Sequence, residues 1–167
     1  MKIYIASDHA GFSLKETVRA FLQKQGYSLE DFGPYEKNPQ DDYPDFIKQV
    51  AQVVSNHPHE RGIVIGGDGQ GEAIVANKFP GVRAVVFYGP CLPIAPIDAN
   101  GTETADPFAI VRLTRQHNNA NILSLGARFV TEADALKAIS IWLETDFSKV
   151  ERHVRRIAKI AHIEKTQ

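Results

Sequence analysis

Cysteine is nearly missing from this chain. Cys91 is the single one among 167 residues, which rules out an internal disulfide framework and fits a reducing, cytoplasmic compartment. There is no Cys-x-x-Cys pair, and the six histidines fall at no zinc-ligand spacing, so no metal is expected. A basic excess is lacking too: a formal net charge of −1 argues against nucleic acid as a partner. No apolar run approaches the ~20 residues that cross a bilayer, so no membrane partner is expected. The opening MKIYIASDHAG lacks the long apolar core of a signal peptide and reads as a strand. No internal repeat and no low-complexity tract is present. What is there is 43% hydrophobic and 23% charged, the balance of one globular domain with a single core.

Periodicity divides the chain into alternating elements. Lys2–Ser7, Tyr27–Phe32, Gly62–Ile65, Val82–Tyr88 and Asn121–Leu125 read as strands, apolar and rich in β-branched residues. Gly62–Ile65 is continuously apolar and reads as buried on both faces. Helical spacing predicts Phe12–Gln25 (stopped by Gly26), Tyr43–Ser55, Glu72–Lys78, Thr131–Glu144 and Ser148–Glu164. Thr131 with Asp134 resembles a capping box. Strand–helix alternation implies an α/β fold, a parallel sheet with helices on both faces. Ligands in such folds sit beyond the carboxyl ends of the strands. The turns after them are Asp8-His9, Gly66–Glu72, the loop after Tyr88, and Gly126-Ala127-Arg128.

One segment breaks the rhythm. Residues 88–105, YGPCLPIAPIDANGTETA, have no clear period; such a loop is either a surface insertion or a lid on the ligand side. Asp106-Pro107 then reads as an N-cap followed by proline at the first helical position.

The densest signal is GGDGQGEAIVANK, residues 66–78, with four glycines in its first six positions. It fits neither common nucleotide motif. The third position of a dinucleotide fingerprint is Glu72 in one register and Ile74 in the other, and no Gly-Lys-Ser/Thr closes a Walker loop. What remains is a set of close backbone N–H groups at a helix start, suited to a small anion or to one that exists only in a transition state. A carboxylate beside such a hole suits a general base that removes a proton next to a carbonyl. Glu72 also reads more simply, as a charge favouring the helix N-terminus.

Four motifs occur in order: SDHAG after the first strand, GGDGQGEAIVANK after the third, RQHNNANILSLGAR into the fifth, and ERHVRR near the end. Together they resemble the type B ribose-5-phosphate isomerase family, which also contains the galactose-6-phosphate isomerase subunits. The resemblance spans nearly the whole chain except about residues 89–105, an insertion in a single sugar-phosphate isomerase domain. It implies a Rossmann-like three-layer α/β/α sandwich with a five-stranded parallel sheet. It implies a homodimer or dimer of dimers, sites shared between subunits, and a C-terminal dimerisation helix. The implied activity interconverts aldose and ketose phosphates, ribose 5-phosphate foremost, with no metal and no cofactor. Another pentose, hexose or tetrose phosphate, or a catalytically silent sugar-phosphate binder of the same fold, are the alternatives.

The family has two kinds of base, a cysteine just after strand three or a glutamate a few residues later. Here Gly66 stands at the cysteine position and Glu72 at the glutamate position. By this match Glu72 shuttles the proton between C1 and C2, and the N–H groups of Gly67 to Gly71, Gly69 among them, hold the enediolate oxygen. His117 helps open the sugar ring, with Asn118 beside it. Asp8 contacts the ring oxygen or hydroxyls, and Tyr43 lines the pocket. His9, Arg128, Arg152, His153 and Arg156 handle the phosphate, some across the dimer interface. Arg152 and Arg156 stand i, i+4 on one helix face, and guanidinium forks suit phosphate. Read alone, these arginines are also a solvated basic face, Asp8 a helix cap, and each histidine an ordinary one. The departure from the family is Asp68, where serine or threonine is usual. An ionised aspartate cannot donate a hydrogen bond and raises the pKa of a nearby Glu72.

Overall fold

The computed structural model describes residues 1–166. Its strands are β1 (Lys2–Ser7), β2 (Ser28–Asp31), β3 (Arg61–Gly66), β4 (Ala84–Phe87) and β5 (Ile122–Gly126). Its helices are α1 (Phe12–Lys24), α2 (Tyr43–Asn56), α3 (Gln70–Ala76), α4 (Ala109–Asn118), α5 (Glu132–Glu144) and α6 (Glu151–Lys165). Every strand pair is parallel, in the order β2-β1-β3-β5-β4.

Side chains alternate across the sheet with period two, and each set meets its own helices. Ile3, Ile5, Ile63, Ile65, Leu123 and Leu125 pack with Val18 and Leu22 of α1, Val111 of α4, and Ile139 and Trp142 of α5. Tyr4, Ala6, Val64 and Ile122 pack with Ile47, Val50 and Val54 of α2 and Ala76 of α3. Both faces of β1, β3 and β5 are therefore dry, which is why these strands read as unbroken apolar runs. The result is the three-layer α/β/α sandwich with five parallel strands that the sequence implies.

The chain runs from β1 out to the edge at β2, then returns to lay β3 on the other side of β1. That reversal opens a crevice beyond the carboxyl ends of β1 and β3. Ser7 pairs with Ile65, and Gly66 with Gly126, so β1, β3 and β5 deliver their following turns to one place.

Differences from the sequence expectation lie at the ends of elements. β2 is shorter: Ser28–Asp31 stand in register with Lys2–Ile5 of the inner strand, and Phe32 adds one N–H to Ile5 O at 2.8 Å before the chain turns away. α3 starts at Gln70, which puts Glu72 in its first turn. α4 starts later than the Asp106-Pro107 signal. Asp106 accepts the N–H groups of Phe108 on its side chain (2.9 Å) and of Ala109 on its carbonyl (3.1 Å), which makes a separate turn; Phe108 is the N-cap. Thr131 caps α5 as expected, accepting the Asp134 N–H at 3.1 Å. The α6 helix exposes Val154, Ile160 and Ile163 and buries only His153.

The long loop is ordered upon itself. Cys91 N–H donates to Pro107 O at 2.9 Å and closes its neck. Asp98 accepts from the N–H groups of Asn100 and Thr102 and from the Thr102 hydroxyl. Lys15 of α1 is fully buried, and its Nζ donates to both Asp31 oxygens (2.9 and 2.8 Å) and to Pro34 O (2.7 Å). No helix among the described residues is long and apolar enough to cross a membrane.

Candidate active site

A cavity of about 350 Å³ opens where the fold predicts one, lined by Asp8, His9, Ala10, Tyr43, Gly67, Asp68, Gly71, Glu72 and Arg128. Three post-strand turns and the start of α2 supply these side chains. Glu72 is 3% exposed, with its carboxylate folded back over the end of β3. A Cβ built on Gly66 would stand 1.8 Å from Glu72 Oε1. The carboxylate fills the very volume that a side chain at position 66 would need. Burial pushes the Glu72 pKa up; its own backbone N–H opposes this, and the charges of Asp8 and Asp68 add to it.

The glycine loop is tied down by its carbonyls. Gly66 O accepts the Ala127 N–H, Gly67 O the Arg128 N–H, and Gly69 O the Ser124 hydroxyl at 2.7 Å. Gly69 has φ +76, a left-handed backbone that glycine adopts without strain. With the carbonyls engaged on the β5 side, no hydrogen bond among the described residues uses the N–H groups of Gly67, Asp68 or Gly69. They are unspent donors for an anion. Asp68 is exposed and accepts the Gln70 N–H on Oδ1 at 2.9 Å. It thus consumes one loop donor while adding negative charge to the rim.

Asp8 accepts the Gly11 N–H on Oδ1 at 2.9 Å, so it caps the turn into α1 and faces the cavity as well. Gly11 allows that turn to press on β3, since a Cβ there would lie 2.2 Å from Ile65 O. Tyr43, the first residue of α2, lays its ring against Gly71, and the Arg128 guanidinium covers Gly67. His9 is held by Asp41, whose Oδ1 lies 2.6 Å from His9 Nδ1. Asp8, His9 and Asp41 bring ligand atoms within 4.8 Å of one another, the one grouping among the described residues that could hold a metal ion. The 2.6 Å His9–Asp41 spacing is that of a hydrogen bond.

His117, Asn118, Arg152, His153 and Arg156 do not line this cavity. His117 and Asn118 end α4, which feeds into the start of β5. They therefore sit at the opposite edge of the sheet, a β5 length away, about 17 Å for five residues. There the His117 ring packs on that of His153, with centroids 4.2 Å apart. Burial pushes the His117 pKa down, as do the charges of His153, Arg152 and Arg156; Asp98 of the long loop opposes them. His153 is 3% exposed and both its ring nitrogens are engaged. Arg152 Nε donates to Nε2 at 3.1 Å, leaving the proton on Nδ1 to donate to Ser148 Oγ at 3.0 Å. Ser148 in turn donates to Gln116 O. His153 orients Arg152 and has no ring nitrogen free for phosphate. Asn118 lines a groove between β4 and α6 with Ile160 and Ile163.

The model of the Ribose/Galactose Isomerase family matches residues 3–91 and 103–160. The chain belongs to this family. Ribose-5-phosphate isomerase B of Mycolicibacterium paratuberculosis is 38% identical over 99% of this chain and 93% of its own length. Ribose-5-phosphate isomerase B of Clostridium thermocellum superposes with a TM-score of 0.84 at 42% identity, covering 99% of both chains. The Mycoplasma genitalium enzyme, solved with bound ribulose-5-phosphate, superposes with a TM-score of 0.86 at 35% identity, covering 99% of this chain and 97% of that one. The stretch that the family model leaves unmatched, 92–102, falls inside the long loop.

Within this isomerase family the sequence motifs locate the cavity residues well and overlook those that support them. Asp41, Ser148 and Asp98 lie outside the four motifs, whereas Ser124 falls inside the third. Asp41 precedes Asp42-Tyr43-Pro44 and reads as part of a helix start; its contact with His9 joins residues 32 apart.

Proposed function

We propose that this family member interconverts ribose 5-phosphate and ribulose 5-phosphate through an enediolate, with Glu72 as the base. One observation carries the reading: a buried carboxylate packed over Gly66, within a cavity rimmed by unspent backbone N–H groups. The relatives named ribose-5-phosphate isomerase B, and the bound ribulose-5-phosphate of the M. genitalium structure, support the substrate.

Glu72 takes the C2 proton of the open-chain aldose and returns it to C1, while the O2 proton passes to O1. A carboxyl whose pKa burial pushes up has a more basic carboxylate, which takes the proton more readily. The N–H groups of Gly67, Asp68 and Gly69 hold the enediolate oxygen as charge develops. Asp8, beside Glu72, contacts the sugar hydroxyls, and Tyr43 walls the pocket. Arg128 and His9 meet the phosphate.

The remaining residues reach the cavity from a second copy. His117 opens the ring with Asn118 beside it, and Arg152 and Arg156 complete the phosphate site, held in place by His153. The separation of these groups from Glu72 in one chain supports a homodimer with shared sites, as do the exposed Val154, Ile160 and Ile163 next to them. The chain is one domain with an insertion at about 89–105, and it works in the reducing cytoplasm.

One experiment tests chemistry and assembly together. Glu72→Gln and His117→Ala are each expected to lose two or more orders of magnitude in ribose 5-phosphate turnover, on the scale of removing a general base. Refolded together at equal amounts, they regain roughly a quarter of wild-type activity, because half the dimers are mixed and each holds one intact site. Full activity in Glu72→Gln refutes the base. Failure of the mixture to regain activity refutes the shared site.

A further inference from the structure

Asp41 has no part in the reaction described so far. It lies in the loop between β2 and α2, two residues ahead of Tyr43. Its side chain is 6% exposed. Its Oδ1 meets two nitrogens of one residue, the backbone N–H of His9 at 3.1 Å and the His9 ring Nδ1 at 2.6 Å. Its Oδ2 is buried and has no hydrogen-bond partner among the described residues. A helix-capping role does not account for it. Asp42 is the N-cap of α2, and the hydrogen bonds of the Asp41 side chain go to His9 instead.

An ionised carboxylate only accepts hydrogen bonds. Nδ1 of His9 must therefore carry a proton, and the one ring nitrogen left for a ligand is Nε2. Two bonds to one oxygen also hold the ring against rotation, in the wall of the cavity that contains Glu72 and Arg128. Three carboxylates face this cavity, those of Asp8, Asp68 and Glu72, so an incoming phosphate needs well-placed donors. For Nε2 to donate to a phosphate oxygen, the ring must hold a proton on each nitrogen. Asp41 is then its counter-charge, in charge-assisted contact. A buried carboxylate with one orphan oxygen costs stability, which fits a residue retained for function.

We propose that Asp41 is a positioning residue for His9: it holds Nδ1–H and the ring orientation and supplies the counter-charge, so that the ring protonated on both nitrogens donates from Nε2 to the substrate phosphate. The inference rests on the isomerase reading above. Asp41→Ala and Asp41→Asn in the full-length protein test it, read by steady-state kinetics and by ¹⁵N NMR of the His9 ring with inorganic phosphate as probe. Wild type is expected to show the Nδ1–H form without phosphate and a ring protonated on both nitrogens with it. Asp41→Ala shows a tautomer mixture and about tenfold weaker phosphate binding, with KM raised by a similar factor and kcat little changed, the scale of one charge-assisted contact. Asp41→Asn still accepts both N–H groups; it keeps the tautomer but binds phosphate less well than wild type. In a His9→Gln background Asp41→Ala has no further effect on KM.

Wild-type His9 spectra and phosphate binding in Asp41→Ala overturn the proposal. So does a lower thermal midpoint with KM unchanged, since that marks Asp41 as a structural staple alone. If Asp41→Ala does not fold, Asp41→Asn decides by the same phosphate titration. Absence of ribose 5-phosphate turnover in wild type defeats the isomerase reading, and the ring spectra and phosphate binding still decide for or against Asp41.

Discussion

Adding one methyl group at Gly66 tests the base more sharply than removing it. The new Cβ would lie 1.8 Å from Glu72 Oε1, 2.1 Å from Cδ and 2.6 Å from Oε2. A methyl carbon keeps at least 3.0 Å from such atoms, so the carboxylate must retreat by more than 1 Å. A shift of that size at a reacting group costs about 10²-fold in rate. Gly66→Ala is therefore expected to lower kcat for ribose 5-phosphate by about two orders of magnitude, with KM little changed because the phosphate is held elsewhere. Overpacking also costs about 1–3 kcal/mol of stability, so a thermal melt must show that the variant is folded at the assay temperature. In the double variant Gly66→Ala with Glu72→Ala the overlap vanishes, and the rate should match that of Glu72→Ala alone. Gly66→Cys with Glu72→Ala sets a thiol where the carboxylate was and should recover part of the activity, while Gly66→Cys alone should not. Wild-type kcat/KM in folded Gly66→Ala would refute the reasoning, for the carboxylate would then not need its place over residue 66.

Three further outcomes follow from the charged groups. The folded protein holds the Glu72 proton more tightly than the unfolded chain, so stability falls as pH rises from the ordinary 4.5 through the raised value. Glu72→Gln should thus melt higher than wild type at about pH 8 and gain nothing below about pH 4; an equal gain at both would contradict this. Asp98 is the charge that props up the His117 pKa against His153, Arg152 and Arg156. Asp98→Asn should move the His117 NMR titration, and the limb of the pH–rate profile that follows it, to lower pH, and a shift to higher pH would be the wrong sign. Lys15→Met takes from Asp31, 15% exposed, its close ion pair at 2.8 Å and leaves it the Arg19 guanidinium, whose Nε is 3.9 Å away. The expected loss is about 3–5 kcal/mol in urea denaturation, and a loss under about 1 kcal/mol would show that the network does not hold the loop after β2.

Local signals placed the elements wherever period and burial agree. Lys2–Ser7 is a strand in both readings because its residues pair on both edges and its faces are dry. Where an end is set by pairing, the sequence reads too long, as at Tyr27 and Phe32, which flank the residues in register with β1, Ser28–Asp31. The Asp106-Pro107 signal misled by a few residues because an aspartate can close a turn of its own ahead of a helix. Glu72 and its glycine loop were legible because a strand, a glycine cluster and a helix start are contiguous in the chain. The His9–Asp41 contact was not, since it joins distant loops.

The sequence alone determined the alternation of strands and helices, the glycine loop with its carboxylate, and the motifs of the isomerase family. These are matters of residue type at short spacing, and short-range sterics and hydrophobic periodicity govern them. Tertiary structure decided which of those residues meet. It put the Glu72 carboxylate in the volume over Gly66, turned Asp68 onto the Gln70 N–H, and closed both ring nitrogens of His153. It also set His117 and the arginines at the far edge of the sheet from Glu72. Direction along a parallel sheet separates the two ends of every strand, and no motif read along one chain reveals that separation.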